Sequence, residues 1–153
     1  MAGRTDNFFS DFQQSNENTI FITRGPPSAQ IRLKVSLDRL YFVAEGEPSG
    51  LSLVDCIREG MVKGVLHDSM RTLVDMTRFT GAVDWAALHT IRDMAKWGSE
   101  GDSRVAYVVR NNVFDALIKI VQILFADTRH RTFDNFPDAI AWLESKPSRR
   151  PKK

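Results

Sequence analysis

Two periodicities alternate along this chain, and their alternation restricts the fold more than any single residue does. Ile31-Arg32-Leu33-Lys34-Val35-Ser36 changes character at every second residue, as a strand with one buried face must. Asp38 marks a turn, and Leu40-Tyr41-Phe42-Val43-Ala44 is apolar on both faces, so the two segments predict an antiparallel hairpin. A helix is expected over 51–62, with Leu53, Val54, Ile57 and Met61 on its apolar face. Residues 70–76 are apolar enough for a buried strand. Thr77-Arg78-Phe79-Thr80-Gly81-Ala82-Val83 reads as a polar, glycine-punctuated loop. Asp84 opens a helix running to Trp97, with Leu88, Ile91, Met94 and Ala95 on one face and Trp97 projecting away from it. Val105 to Val109 is continuously apolar, as a central parallel strand is. A third helix is expected over 112–126 and a short edge strand over 129–133. Asn135 caps a last helix that tolerates Pro137 in its first turn and buries Ile140 and Leu143. Hairpin, helix, strand, helix, strand, helix, strand, helix is the order of an α/β domain whose sheet is mostly parallel after the opening hairpin.

The ends differ from this body. Residues 1–30 are rich in Asn, Gln, Ser, Gly and Pro and read as a mobile arm, with Thr19 to Thr23 offering one short extra strand. The domain proper is expected over 31–145, and 146–153 is a basic tail. Its Lys146, Arg149, Arg150, Lys152 and Lys153 dominate the charge. Taking those five positive charges from the net +2 leaves the remainder at −3. Nucleic-acid binding by a basic face is therefore not expected of the folded body. The longest apolar run, 118–126, is interrupted by Lys119 and Gln122 and is too short to span a membrane. The amino terminus has no apolar core behind a basic start, and Cys56 is the single cysteine. A reducing cytoplasm is the expected compartment.

Glycines do not fall in a nucleotide-binding pattern, no serine sits in a nucleophile elbow, and His67, His89 and His130 are scattered. No metal, cofactor or catalytic residue is expected. Cys56 flanks the apolar face of the first helix and reads as a buried, inert thiol. The polar groups near the carboxyl end of the 70–76 strand are Asp75, Thr77, Arg78, Thr80 and Asp84. One reading makes them a small polar site or docking loop for a partner or ligand. The other has Asp84 capping the helix, Asp75 and Arg78 paired, and the threonines bonding the loop backbone.

A family resemblance rests on Arg71-Thr72-Leu73-Val74-Asp75-Met76-Thr77, Phe79-Thr80-Gly81 and Arg104-Val105-Ala106-Tyr107-Val108-Val109. It is completed by Arg131-Thr132-Phe133 with Ala139-Ile140-Ala141-Trp142-Leu143. In order and spacing these segments resemble the SpoIIAA-like (STAS/SEC14-type) family over about 31–145. The resemblance implies a β-α superhelix with a single sheet and helices mainly on one side. It also implies either protein binding, as in anti-sigma-factor antagonists, or binding of small apolar molecules, as in SEC14-type relatives. The antagonists are switched by phosphorylating a serine at the start of the helix after the central strand. Here no Ser or Thr occurs from Gly81 through His89, and Asp84 stands about where the acceptor would be. It serves as a fixed negative charge or as a simple cap, and the serine switch is not expected.

The functional expectation is a non-enzymatic regulatory or protein-interaction module, the alternative a carrier or sensor of a small apolar ligand. In the 112–126 helix, Asp115, Lys119 and Gln122 form one narrow polar stripe and leave a wide apolar arc. A sheet consumes only part of such an arc. A symmetric homodimer is the preferred account of the rest, with Ile120, Leu124 and the outward Trp97 as candidate interface residues.

Overall fold

The computed structural model describes residues 19–37, 39–66, 70–80, 84–94, 103–110, 122 and 128–145. In chain order the elements are β1 (Thr19–Arg24), β2 (Ala29–Ser36), β3 (Arg39–Gly46), α1 (Gly50–Val62), β4 (Arg71–Phe79), α2 (Trp85–Met94), β5 (Arg104–Val108), β6 (Arg129–Phe133) and α3 (Phe136–Glu144). The six strands form one sheet in sequence order. The first three pair antiparallel. From β3 onward the pairing is parallel, so the expected mostly parallel sheet behind an antiparallel opening is present. The sheet also takes in part of the stretch read as an arm. The short strand offered at Thr19 to Thr23 runs to Arg24 and pairs along its whole length with β2. A turn in which Ala29 N–H donates to Pro26 O at 2.9 Å joins the two.

Strand alternation sorts the core onto two faces. Leu33 and Val35 of β2 and Leu40 and Ala44 of β3 point to the face covered by α1 and α2, where they meet Val54, Cys56, Ile57, Ala87 and Ile91. Tyr41 and Val43 of β3, Leu73 of β4, and Ala106 and Val108 of β5 point the other way, onto Ala139, Ile140 and Leu143 of α3. Two of the three described helices thus share one side. All five residues of β5 are buried, which is why its 105–108 stretch is apolar without alternation.

Local sequence explains the helix starts. Ser49 caps α1, its Oγ accepting from Ser52 N–H at 3.1 Å. Asn135 caps α3, its Oδ1 accepting from Asp138 N–H at 2.9 Å, with Pro137 in the first turn where a missing N–H is harmless.

One sequence expectation is corrected here. Residues 77–79 do not begin the loop; β4 continues through Thr77 and Arg78 to Phe79. Their polarity suggested a loop, but β3 supplies ladder partners up to Gly46↔Phe79. Thr80 N–H then donates to Gly46 O at 2.8 Å. Tertiary pairing overrides side-chain polarity where a strand end lies at the rim of a sheet. Apart from Gln122, the helix expected over 112–126 lies outside the described residues, as do the candidate interface residues Trp97, Ile120 and Leu124, the turn residue Asp38 and the tail.

Candidate functional site

The carboxyl ends of β3 and β4 build the candidate site. Val43 lies opposite Asp75, but Glu45 lies opposite Arg78, so β4 carries one extra residue between them. This is a β-bulge, which bends the strand and re-aims its side chains. The Asp75 carboxylate closes the bulge. Its Oδ1 accepts from Thr77 N–H at 2.9 Å and from Thr77 Oγ1 at 2.7 Å. Its Oδ2 accepts from the Tyr41 hydroxyl at 3.4 Å. The Asp thus turns back on its own strand to satisfy a bulge amide. Burial, and next the Asp75 carboxylate, push the Tyr41 phenol well above its ordinary range, so it stays a neutral donor.

Arg78 is not the partner of Asp75. Its Nη1 donates to Glu45 Oε2 at 3.0 Å, and Arg32 reaches the same oxygen at 3.5 Å. The Arg78 side chain is 75% exposed while that of Glu45 is 16% exposed. A half-hidden carboxylate therefore steadies a guanidinium that faces water. Thr80 is exposed, and its backbone is pinned to Gly46. Gly46 has φ of 66°, and a Cβ there would lie 1.9 Å from Ser28 O, so only glycine lets the β1–β2 turn close onto this rim.

Asp84 caps α2: its Oδ1 accepts from Ala87 N–H at 3.1 Å, and its own carbonyl accepts from Leu88 N–H at 3.2 Å. The other carboxylate oxygen lies against α1. A Cβ on Gly50, the first residue of α1, would stand 1.9 Å from Asp84 Oδ2. One carboxylate therefore sits where the amino ends of two helices converge, and both ends carry partial positive charge.

The five residues singled out in the sequence share one rim but not one cluster. Asp75 and Thr77 bond each other, Arg78 belongs with Glu45 and Arg32, Thr80 rides on Gly46, and Asp84 joins α1 to α2. Sequence reasoning missed Tyr41, Glu45 and Gly50. Tyr41 reads as core and Glu45 as loop, and only the strand register brings them to β4. Gly50 directly follows a capping serine, the one local hint that something approaches its backbone.

The other titratable groups stay outside this rim. Cys56 is fully buried, and burial first, with Glu59 and Asp55 adding and Arg24 opposing, pushes its thiol up to about 12. That is the inert thiol the sequence predicts. His89 is exposed on α2. His130 meets the Tyr107 hydroxyl through Nδ1 at 2.9 Å, and burial raises the Tyr107 phenol above its ordinary range. Among the described residues, His, Cys, Asp and Glu nowhere gather in threes as a metal site needs. No described helix is long and apolar enough to cross a membrane.

Known proteins add the following. No curated protein matches the chain. A crystal structure of an uncharacterized protein of the DUF3478 family with a SpoIIAA-like fold, from Shewanella loihica PV-4, superposes with a TM-score of 0.53. It is 19% identical, and the match covers 86% of this chain and 98% of that one. Such identity speaks for the fold, which agrees with the sheet order and layers described above. The SpoIIAA-like family model matches residues 41–144, from the middle of β3 to the last residue of α3, and on that match the chain belongs to the SpoIIAA-like family.

Proposed function

We propose that this protein is a non-enzymatic, STAS-like regulatory or protein-interaction module that works without a serine phosphoswitch. The observation that carries the reading is Asp84. About where the family's antagonists carry a phosphoacceptor serine, this chain has a carboxylate already engaged by the Ala87 amide of α2 and lying against the first residue of α1. The acidic group is encoded in the chain, so the surface needs no kinase to place one there. The neighbouring groups support binding rather than chemistry. Asp75 is occupied by Thr77 and Tyr41, and Arg78 is presented to solvent on a rigid strand by Glu45. Rigid presentation of a charged pair favours specificity in an encounter with a partner protein.

The test is an affinity capture from the source cells, comparing the parent with Asp84→Ser and Arg78→Glu. A partner retained by the parent and lost from both variants supports the module. Mass spectrometry under native conditions should find the protein without bound small molecules. A stoichiometric apolar ligand would replace this reading by the carrier, and phosphate on Thr77 or Thr80 would restore a switch.

A further inference from the structure

Among the described residues, four large apolar side chains stand in water: Phe21, Leu37, Leu51 and Val62. Single exposed apolar residues are ordinary, but two of these, Leu51 at 69% exposure and Val62 at 81%, belong to one helix. α1 buries Val54, Cys56 and Ile57 in the core. Leu51, Asp55, Arg58 and Val62 lie on its other side. Their spacing of four, three and four residues is that of a coiled-coil seam. At about 100° per residue, all four fall within an arc of about 60°. The two charged members already touch: Arg58 Nη1 donates to Asp55 Oδ1 at 3.2 Å, with side chains 54% and 39% exposed. The stripe is also symmetric about its middle. Leu51 and Val62 are equally far in sequence from the point between Cys56 and Ile57, and so are Asp55 and Arg58. A second α1 laid antiparallel across it therefore sets apolar residue opposite apolar residue and each charge opposite its counter-charge.

We propose that α1 is a self-association surface, on which a second copy of this chain packs antiparallel about a two-fold axis. Leu51 then meets Val62 of the partner subunit, and Asp55 meets Arg58 of the partner subunit. An isologous contact requires a surface that complements itself, and that property selects a second copy over another protein. An unrelated helix would have to carry the same pattern in reverse. The surface is distinct from the candidate interface expected on 112–126. One helix face buries less than the roughly 800 Å² per partner of a standard interface, so the dimer is weak and forms as concentration rises.

The test is sedimentation equilibrium of the full chain at low salt, up to about 1 mM. The parent's mass should rise from the 17.4 kDa of the monomer toward twice that value. Val62→Glu places a carboxylate opposite Leu51 and should weaken the dimer by about tenfold or more. Arg58→Glu makes the middle of the stripe wholly acidic and Asp55→Arg makes it wholly basic, so each variant alone should stay monomeric. Mixed in equal amounts the two should associate, because each then meets its opposite. That recovery separates a lost contact from a lost fold. A parent that stays monomeric overturns the proposal. So does a parent dimer that Val62→Glu leaves intact, a charge variant that dimerises alone as the parent does, or a mixture of the two charge variants that remains monomeric.

Discussion

The two rims of the sheet hold helix ends of opposite sign, and they do it with opposite charges. At the carboxyl rim, Ser49, Asp84 and Asn135 give oxygen acceptors to the amino ends of α1, α2 and α3. At the amino rim, arginines serve the carboxyl end of α3: Arg71 donates to Leu143 O at 2.9 Å, Arg104 to Trp142 O and Ser145 Oγ, and Arg39 to Glu144. The helix dipole and the orphan groups at each end dictate this assignment. The two rims differ in how they are built. Each amino-end cap is a neighbour in sequence of the amide it serves. These three arginines are far apart in sequence and meet only because Arg39, Arg71 and Arg104 are register partners, each the first residue of its strand. One rim is assembled locally and the other by the whole sheet.

Mutations should expose that difference. The largest effect is expected at Arg104, which is 2% exposed and also lies over the Trp142 ring with 5.7 Å from guanidinium carbon to centroid. Arg104→Ala empties a buried site between β5 and α3 and removes the donor that ties Trp142 O and Ser145 Oγ to the sheet. It should cost about 3 kcal/mol in urea unfolding. Arg104→Lys should recover only part of this, because an ammonium lacks the planar fork. Full recovery by lysine would mean that charge alone holds α3.

Gly50→Ala should be next. Its Cβ would meet Asp84 Oδ2 at 1.9 Å and Ala87 Cβ at 3.1 Å, prising α1 from α2. About 2 kcal/mol is expected, less the small gain of alanine in a helix. The same change made on an Asp84→Ala background should cost clearly less, and equal costs on both backgrounds would show that Asp84 is not what crowds Gly50. Asp84→Ala alone removes a single cap and should cost about 1 kcal/mol, with thermal melts that overlay the parent's counting against the cap. Arg78→Ala should be the smallest. Its pair with Glu45 is largely solvated, so stability should change by no more than about 0.5 kcal/mol. A larger loss in a denaturant melt would mean that the guanidinium braces the bulge rather than standing ready for a partner.

The legible part of the candidate site was the local part. Asp84 announces itself as a cap because a short polar side chain stands just before a helical apolar period. Asn135 and Pro137 do the same for α3. The rest was not legible. Arg78 and Asp75 are three residues apart, and proximity in sequence suggested that they pair. The bulge in β4 instead turns Asp75 onto Thr77 and Tyr41 and brings Arg78 opposite Glu45 of the neighbouring strand. Residues 77–79 were read as a loop for a related reason. Their polarity is visible in sequence, but the ladder partner waiting on β3 is not.

By itself, the sequence determined the order of the described elements from β2 onward, part of the apolar face that each described helix buries and the helix starts. These follow from periodicity and from hydrogen bonds that span three or four residues, and both are properties of adjacent side chains. Only the tertiary structure decided the strand register, and with it the bulge at Asp75, the pairing of Arg78 with Glu45, the contact of Asp84 with Gly50 and the row of arginines under α3. Register is set by how many residues separate distant strands in space, and a difference of one residue changes which groups meet.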